Sequence, residues 1–93
     1  MNNDGVFHKN RDELHGQTVV VNTSGPKTFI GRWHEVRDGQ VLMMDVAVHD
    51  EAAADNSRED WIAQLKKFGI PVDERTASVP QDSVTEVVRL RDA

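Results

Sequence analysis

The chain has 93 residues, of which 38% are hydrophobic, and its 11 basic and 16 acidic residues give a net charge of −5. This length fits one small domain, which buries only about 60–65% of the surface of its unfolded chain. The absence of cysteine excludes disulfides and thiolate metal sites, so self-association is the expected source of additional stability. The acidic balance argues against broad nucleic-acid binding, which would need a local basic patch.

The first part of the chain predicts a polar segment followed by two strands. Residues 1–13 are expected to form a tail or a short helix, and no apolar run has the length of a secretion signal or a membrane span. Residues 17–22 are rich in β-branched side chains and precede turn formers at 23–26, which predicts a hairpin. The second strand, 27–37, has Gly31 at its centre, which indicates a sharp bend, and Asp38-Gly39 predicts a tight turn.

The third predicted strand covers residues 40–49 and carries apolar side chains on both faces. Strict alternation assigns one face to the core, namely Leu42, Met44, Val46 and Val48. The opposite face is too apolar to be simply solvated, so we expect another element or another subunit to cover part of it; it consists of Val41, Met43, Asp45, Ala47 and His49.

Residues 50–74 predict an acidic, alanine-rich loop and then one helix at about 57–68. Ser57 is a candidate N-cap, and the acidic first turn and basic last turn complement the helix dipole. Gly69 and Pro71 are expected to end the helix. One apolar stripe is predicted to pack on the domain, with a partner-binding face as the alternative; its residues are Trp61, Ile62, Leu65 and Phe68.

Residues 75–91 return to a strand pattern, with Pro80 marking a corner between a fourth and a fifth strand. The chain is therefore predicted to be a single mainly β domain over 1–93. Strands 1–3 lie in 14–49, the loop and helix in 50–74, and strands 4–5 in 75–91.

This order of elements resembles the Sm-like (LSm) proteins. The motifs that carry the resemblance are Leu14-His15-Gly16 with Val19 and Val21, Phe29-Ile30-Gly31, Asp38-Gly39, residues 42–45, and Val84, Val87 and Leu90. It implies a strongly bent, five-stranded Sm-like or SH3-like barrel with a helix inserted between strands 3 and 4. It also implies a closed homo-oligomeric ring, in which the last strand of one subunit pairs with the fourth strand of the next. The residues assigned to that contact are Val79, Val84, Val87, Val88 and Leu90.

The resemblance also implies a pore surface built from two loops. RNA-binding members use an Asp followed by an Asn after strand 2, and an Arg-Gly before strand 5. Asp38 matches the first position, but no Asn follows it, and residues 80–83 carry Asp82 where a cation is expected, which would repel phosphate. Weak RNA binding is therefore the most we expect. Arg32, His34 and Arg37 could form a local basic patch, but a solvated strand face explains these three residues equally well. The candidate pore or RNA-binding residues are His34, Arg37, Asp38, Gly39, Gln81 and Asp82.

The pattern is also similar to a PRC-type barrel, which pairs a glycine-containing second strand with a late segment like residues 79–84. That resemblance implies a protein-docking module without nucleic-acid binding, in which the helix at 57–68 is part of the interaction surface. The final strand separates the two hypotheses, because the ring requires residues 84–90 to complete a neighbour's sheet.

The sequence predicts no catalytic, metal or cofactor site. His49 and Asp50 are adjacent in a strand and point to opposite faces, and Asp45 lies roughly 13 Å from His49 along an extended strand. No serine lies in a nucleophile-elbow pattern, and no acid–base pair or glycine-rich phosphate loop is recognisable. We expect a non-enzymatic cytoplasmic protein without a cofactor, whose partners are itself and, weakly, RNA, and which does not contact membranes.

Overall fold

A computed structural model describes residues 12–93, so most of the tail predicted for residues 1–13 lies outside the described residues. Five strands and one longer helix follow a short 3₁₀ turn at Asp12–Leu14. The strands are β1 (Thr18–Thr23), β2 (Lys27–Arg37), β3 (Gln40–Asp50), β4 (Glu74–Pro80) and β5 (Val84–Arg89), and the helix α1 (Arg58–Phe68) lies between β3 and β4. The predicted mainly β fold with one inserted helix is confirmed.

All five strands form one antiparallel sheet in the order β4-β3-β2-β1-β5. Within residues 12–93, β4 and β5 therefore each have one edge that pairs with no other strand. Apolar clusters cover both faces of this sheet, and register shifts interrupt three of its strands. The sheet is strongly bent and stays open between β4 and β5.

The bend centres on Gly31 in β2 and the residues of β3 opposite it. Ile30 pairs with Ala47 but Arg32 pairs with Met44, so β3 contains one extra residue at this point. A Cβ atom at Gly31 would lie 2.8 Å from Val46 Cγ2 and 3.0 Å from the Met44 carbonyl oxygen. Glycine is required here because only a residue without a side chain lets the two strands approach so closely.

The bulge in β3 occurs at Asp45, whose φ of 54° lies in the left-handed region that few non-glycine residues adopt. The Asp45 carboxylate forms an ion pair with the Arg32 guanidinium on the neighbouring strand. This contact joins the bulge to β2 beside the glycine.

The bulge shifts the alternation of β3 by one residue, so the two halves of the strand bury opposite sets of side chains. The assignment of Leu42 and Met44 to the core is therefore wrong: Leu42 is half-buried and Met44 is 38% exposed. The residues that pack in the first core cluster are Val41, Met43, Val46 and Val48.

Two apolar clusters pack on the two faces of the sheet. The first draws on all five strands and fills the inside of the bend; its fully buried members are Leu14, Val19, Val21, Trp33, Val41, Met43, Val46 and Val79. The second lies between the sheet and α1; its buried members are Val20, Ile30, Ala47, Trp61 and Leu65. The helix thus covers the apolar outer part of β3, including His49, whose ring lies 5.1 Å from that of Trp61.

Local signals fix the ends of α1. The Ser57 hydroxyl oxygen accepts a hydrogen bond from the Asp60 N–H (3.1 Å), and the Gly69 N–H donates to the Leu65 carbonyl with a φ of 97° at the glycine. The predicted burial of Phe68 is wrong, since its side chain is 77% exposed. The helix ends at this residue, and Ile70 packs against the second cluster in its place.

Replacing Gly31 with alanine tests the bend. Gly31→Ala forces a Cβ against Val46 and the β3 backbone, so we expect the free energy of unfolding to fall by about 1–3 kcal/mol. Gly25→Ala is the matched control: nothing lies within 4 Å of its Cβ position, and the change should be neutral or stabilising by up to about 1 kcal/mol. Urea unfolding followed by circular dichroism measures both, and equal stability of the two variants would contradict the close approach.

Candidate functional site

The β2–β3 and β4–β5 turns meet at one end of the sheet and form what we call the turn surface, residues 37–40 and 81–83. Asp38 and Gly39 both have positive φ, 53° and 75°, which is typical of the two central residues of a tight β-hairpin turn. The Gln81 N–H donates to the Gly39 carbonyl oxygen (2.8 Å), and Gln40 pairs with Pro80. The structure therefore brings together the candidate residues of the two turns, which are distant in the sequence.

The exposed charges of the turn surface are mainly acidic. Asp38 and Asp82 are exposed, and neither forms an ion pair with any residue in the described part of the chain. The Arg37 guanidinium lies 2.5 Å from the Glu35 carboxylate. Sequence analysis missed this pair, although residues two apart on a strand share a face. With its cation already paired, the turn surface offers little attraction to a phosphate.

His34 lies apart from the two turns. It precedes Arg37 by three residues, roughly 10 Å along an extended strand. Its carbonyl oxygen accepts a hydrogen bond from His15 Nδ1 (2.8 Å), and the two imidazole rings are 5.4 Å apart. The structure thus pairs His34 with His15 instead of grouping it with the other candidate pore residues.

The five side chains assigned to a ring contact all pack within their own subunit. Val79 is fully buried in the first cluster, where Val84 and Val87 also pack. Val88 and Leu90 pack against the second cluster beneath α1. Any contact that these residues make with a neighbouring subunit must therefore use their backbone groups and the exposed remainder of their side chains.

Backbone direction along β4 shows which amides are available to a neighbour. The Asp73 N–H donates to the Val46 carbonyl (2.9 Å) and the Gln81 N–H to the Gly39 carbonyl, so both point toward β3. Successive residues of a strand point their backbone groups to opposite sides. The N–H groups of Thr76 and Ser78 therefore point away from β3, toward the edge that pairs with no strand among residues 12–93.

A groove of about 440 Å³ lies beside this edge. It is lined by outward-facing side chains of two strands, namely Leu42 and Met44 of β3 with Thr76 and Ser78 of β4, and by His34. Leu42 and Met44 face outward because of the bulge at Asp45. The bulge thus places apolar surface next to an unpaired strand edge.

No cluster of side chains in the described residues has the composition of a metal centre. Among residues 12–93, no group of three or more His, Asp or Glu residues converges as metal ligands would. Asp45 pairs with Arg32, and His49 Nε2 donates to the Asn56 carbonyl oxygen (3.1 Å). The helices in the same part of the chain are all too short or too polar to cross a membrane.

Two solved structures have a similar fold. An Sm protein of Pyrococcus abyssii, determined in complex with a uridine heptamer, aligns over 84% of this chain and 89% of its own length, with a TM-score of 0.53 and 15% identity. A chain of the NatC complex, determined with CoA bound, aligns over 96% of this chain and 88% of its own length, with a TM-score of 0.56 and 17% identity. The first similarity supports the Sm-like fold that the sequence predicts.

No protein-family model matches the chain, and no curated protein matches it either.

Proposed function

We propose that this protein is a non-enzymatic, cytoplasmic Sm-like subunit that assembles with copies of itself into a ring. In this assembly β5 of one subunit pairs with β4 of the next, and the ring acts as a scaffold with weak affinity for single-stranded RNA. The observation that carries the proposal is the open sheet, whose two end strands each have an unpaired edge in the described residues.

The free edges of β4 and β5 are compatible in length and in the type of pairing they can form. β4 has seven residues and β5 has six, and both lie in a sheet that is antiparallel throughout. An exposed edge with free N–H and C=O groups promotes uncontrolled pairing between chains, and head-to-tail closure removes both edges at once. The apolar groove formed by Leu42 and Met44 beside β4 would be partly covered by the added strand, which favours association further.

The turn surface supports only a weak contact with RNA. In a ring it would be repeated once in each subunit, so that even a small affinity per copy would add up. Asp38 and Asp82 oppose the approach of phosphates, and Arg37 is paired with Glu35. The similarity to an Sm protein whose structure was determined in complex with a uridine heptamer favours RNA as the ligand to test.

Docking to a different protein is a second candidate function. The similarity to a chain of the NatC complex favours it, because that structure is an example of a related fold within a multi-protein complex. A docking module of this kind, which the PRC-type alternative also implies, would use the same β4 edge or the face of α1 but would not require self-association.

Proline at position 76 tests the ring. Thr76→Pro removes an N–H that points to the free edge and leaves the bonds to β3 intact, so we expect a mass several times the monomer's 10.5 kDa to fall to that of the monomer. Thr76→Ala keeps the N–H and should assemble like the wild-type protein. Light scattering after size exclusion measures the masses, and circular dichroism verifies that both variants are folded.

Two outcomes of this experiment would contradict the ring. A folded Thr76→Pro variant that keeps the full mass would show that the β4 edge is not the contact. An unchanged protein that is monomeric at micromolar concentration would favour the docking module instead.

Removing the acidic charges of the turn surface tests RNA binding. The double variant Asp38→Asn, Asp82→Asn keeps the turn, since Asn tolerates positive φ, and removes two charges that repel phosphate. We expect its affinity for a uridine heptamer at low salt to rise roughly three- to tenfold, because each charge near a phosphate contributes up to about 1 kcal/mol in water. Fluorescence anisotropy measures the affinity.

The matched control changes two exposed carboxylates of the loop after β3, Glu51→Gln with Asp55→Asn, for the same change in net charge. An equal gain in affinity in this control would mean that RNA responds to net charge and does not bind at the turn surface.

A further inference from the structure

A second groove, which we call the basic groove, lies between the start of β1 and the end of β5. It has a volume of about 480 Å³. Gly16, Gln17 and Thr18 form one side of it, Lys66 of α1 another, and residues 89–91 the third. Arg89, the last residue of β5, pairs with Val19 of β1, so the groove is built where these two strands end together.

Three cations line the basic groove, and no Asp or Glu among residues 12–93 does. They are Lys66, Arg89 and Arg91. Neither arginine forms an ion pair with an Asp or Glu side chain in residues 12–93. In a chain with a net charge of −5, this concentration of positive charge sets the groove apart from the rest of the surface.

One donor of these cations has no acceptor within the described residues. Arg89 Nε is enclosed by protein and has no acceptor there. Lys66 Nζ donates to the backbone oxygen of Ala93 (2.7 Å). Arg89 is half-buried, and an enclosed polar group of such a residue normally has a hydrogen-bonding partner, so the missing partner of its Nε is best sought in a ligand.

Each cation is held in place by an element anchored in the core. Lys66 lies one residue after Leu65, which is buried between α1 and the sheet. Arg91 follows Leu90, which packs against the same cluster, and Arg89 is fixed by the pairing of β5 with β1. The backbone positions of the three cations are therefore fixed before binding, which lowers the ordering cost of binding a small anion.

We propose that the basic groove binds a phosphate group. Two guanidinium groups can each donate paired hydrogen bonds to phosphate oxygens, and the Lys66 ammonium adds a point charge. The phosphate can be free or can belong to the backbone of a single-stranded nucleic acid. The basic groove and the turn surface lie at opposite ends of β5, roughly 20 Å apart, so this site does not depend on RNA binding at the turns.

Amide chemical shifts of the full chain measure binding at both places. Inorganic phosphate and a uridine heptamer are titrated separately against the labelled protein. We expect phosphate to shift the amides of Gly16, Thr18 and Leu90, while those of Gly39 and Gln81 stay unchanged. Shifts from the heptamer at the same groove would identify a nucleic-acid backbone as the source of the phosphate, and shifts from inorganic phosphate alone would identify a small phosphorylated ligand.

The double variant Lys66→Gln, Arg91→Gln should weaken phosphate binding at least about tenfold, because each lost contact is a charge-assisted hydrogen bond. The matched control, Lys27→Gln with Lys67→Gln, removes two exposed lysines outside the groove for the same change in charge and should keep the affinity within about twofold.

The inference is overturned if neither probe shifts the groove amides, or if the control loses as much affinity as the groove variant. The mass of each variant is measured alongside, so a failure of the phosphate site is distinguishable from a failure of assembly.

Discussion

The close approach of β2 to β3 at Gly31 determines the shape of this molecule. A side chain at this position would lie 2.8 Å from Val46, so the contact exists only because the residue is glycine. The extra residue of β3 at Asp45 lets the sheet bend there, and its pairing with Arg32 joins the two strands. The bulge also turns Met44 outward beside β4. The bent sheet and the apolar strip beside its free edge thus have a common origin, and the proposed assembly depends on both.

Much of this fold could be predicted because its turns, helix ends and bend are specified by local sequence signals. Asp38-Gly39 predicts a tight turn, Ser57 caps the helix, and Gly31 indicates the bend, each through a backbone preference or a hydrogen bond of that residue. Prediction failed where a single residue altered a long pattern. Asp45 occupies a left-handed conformation that its residue type rarely adopts, so nothing in the sequence marked the shift that exposes Met44 and buries Met43. The predicted burial of Phe68 was also wrong, because helical periodicity does not show that the helix ends at this residue.

The candidate sites were harder to predict than the fold, because they are formed by residues that only the tertiary structure brings together. The resemblance to Sm-like proteins implied that the two turns line a common pore, and the bond between Gln81 and Gly39 brings them together. Residue spacing alone could not have shown this contact. The candidate pore residues also included His34, which the structure places beside His15 and away from the turns. The basic groove was not predicted, because the basic last turn of α1, which contains Lys66, was explained by the helix dipole, and Arg89 and Arg91 were assigned no role. Their convergence follows only from the packing of α1 against β1 and β5.

Hydrogen exchange of the β4 amides tests the proposed assembly most directly. The N–H groups of Thr76 and Ser78 point away from β3, so within one subunit they have no strand partner in the described residues. Ring formation predicts that both exchange slowly at high protein concentration and faster on dilution, while amides between β1 and β2 stay protected throughout. Rapid exchange of Thr76 and Ser78 at every concentration, in a protein whose central strands remain protected, would contradict the ring.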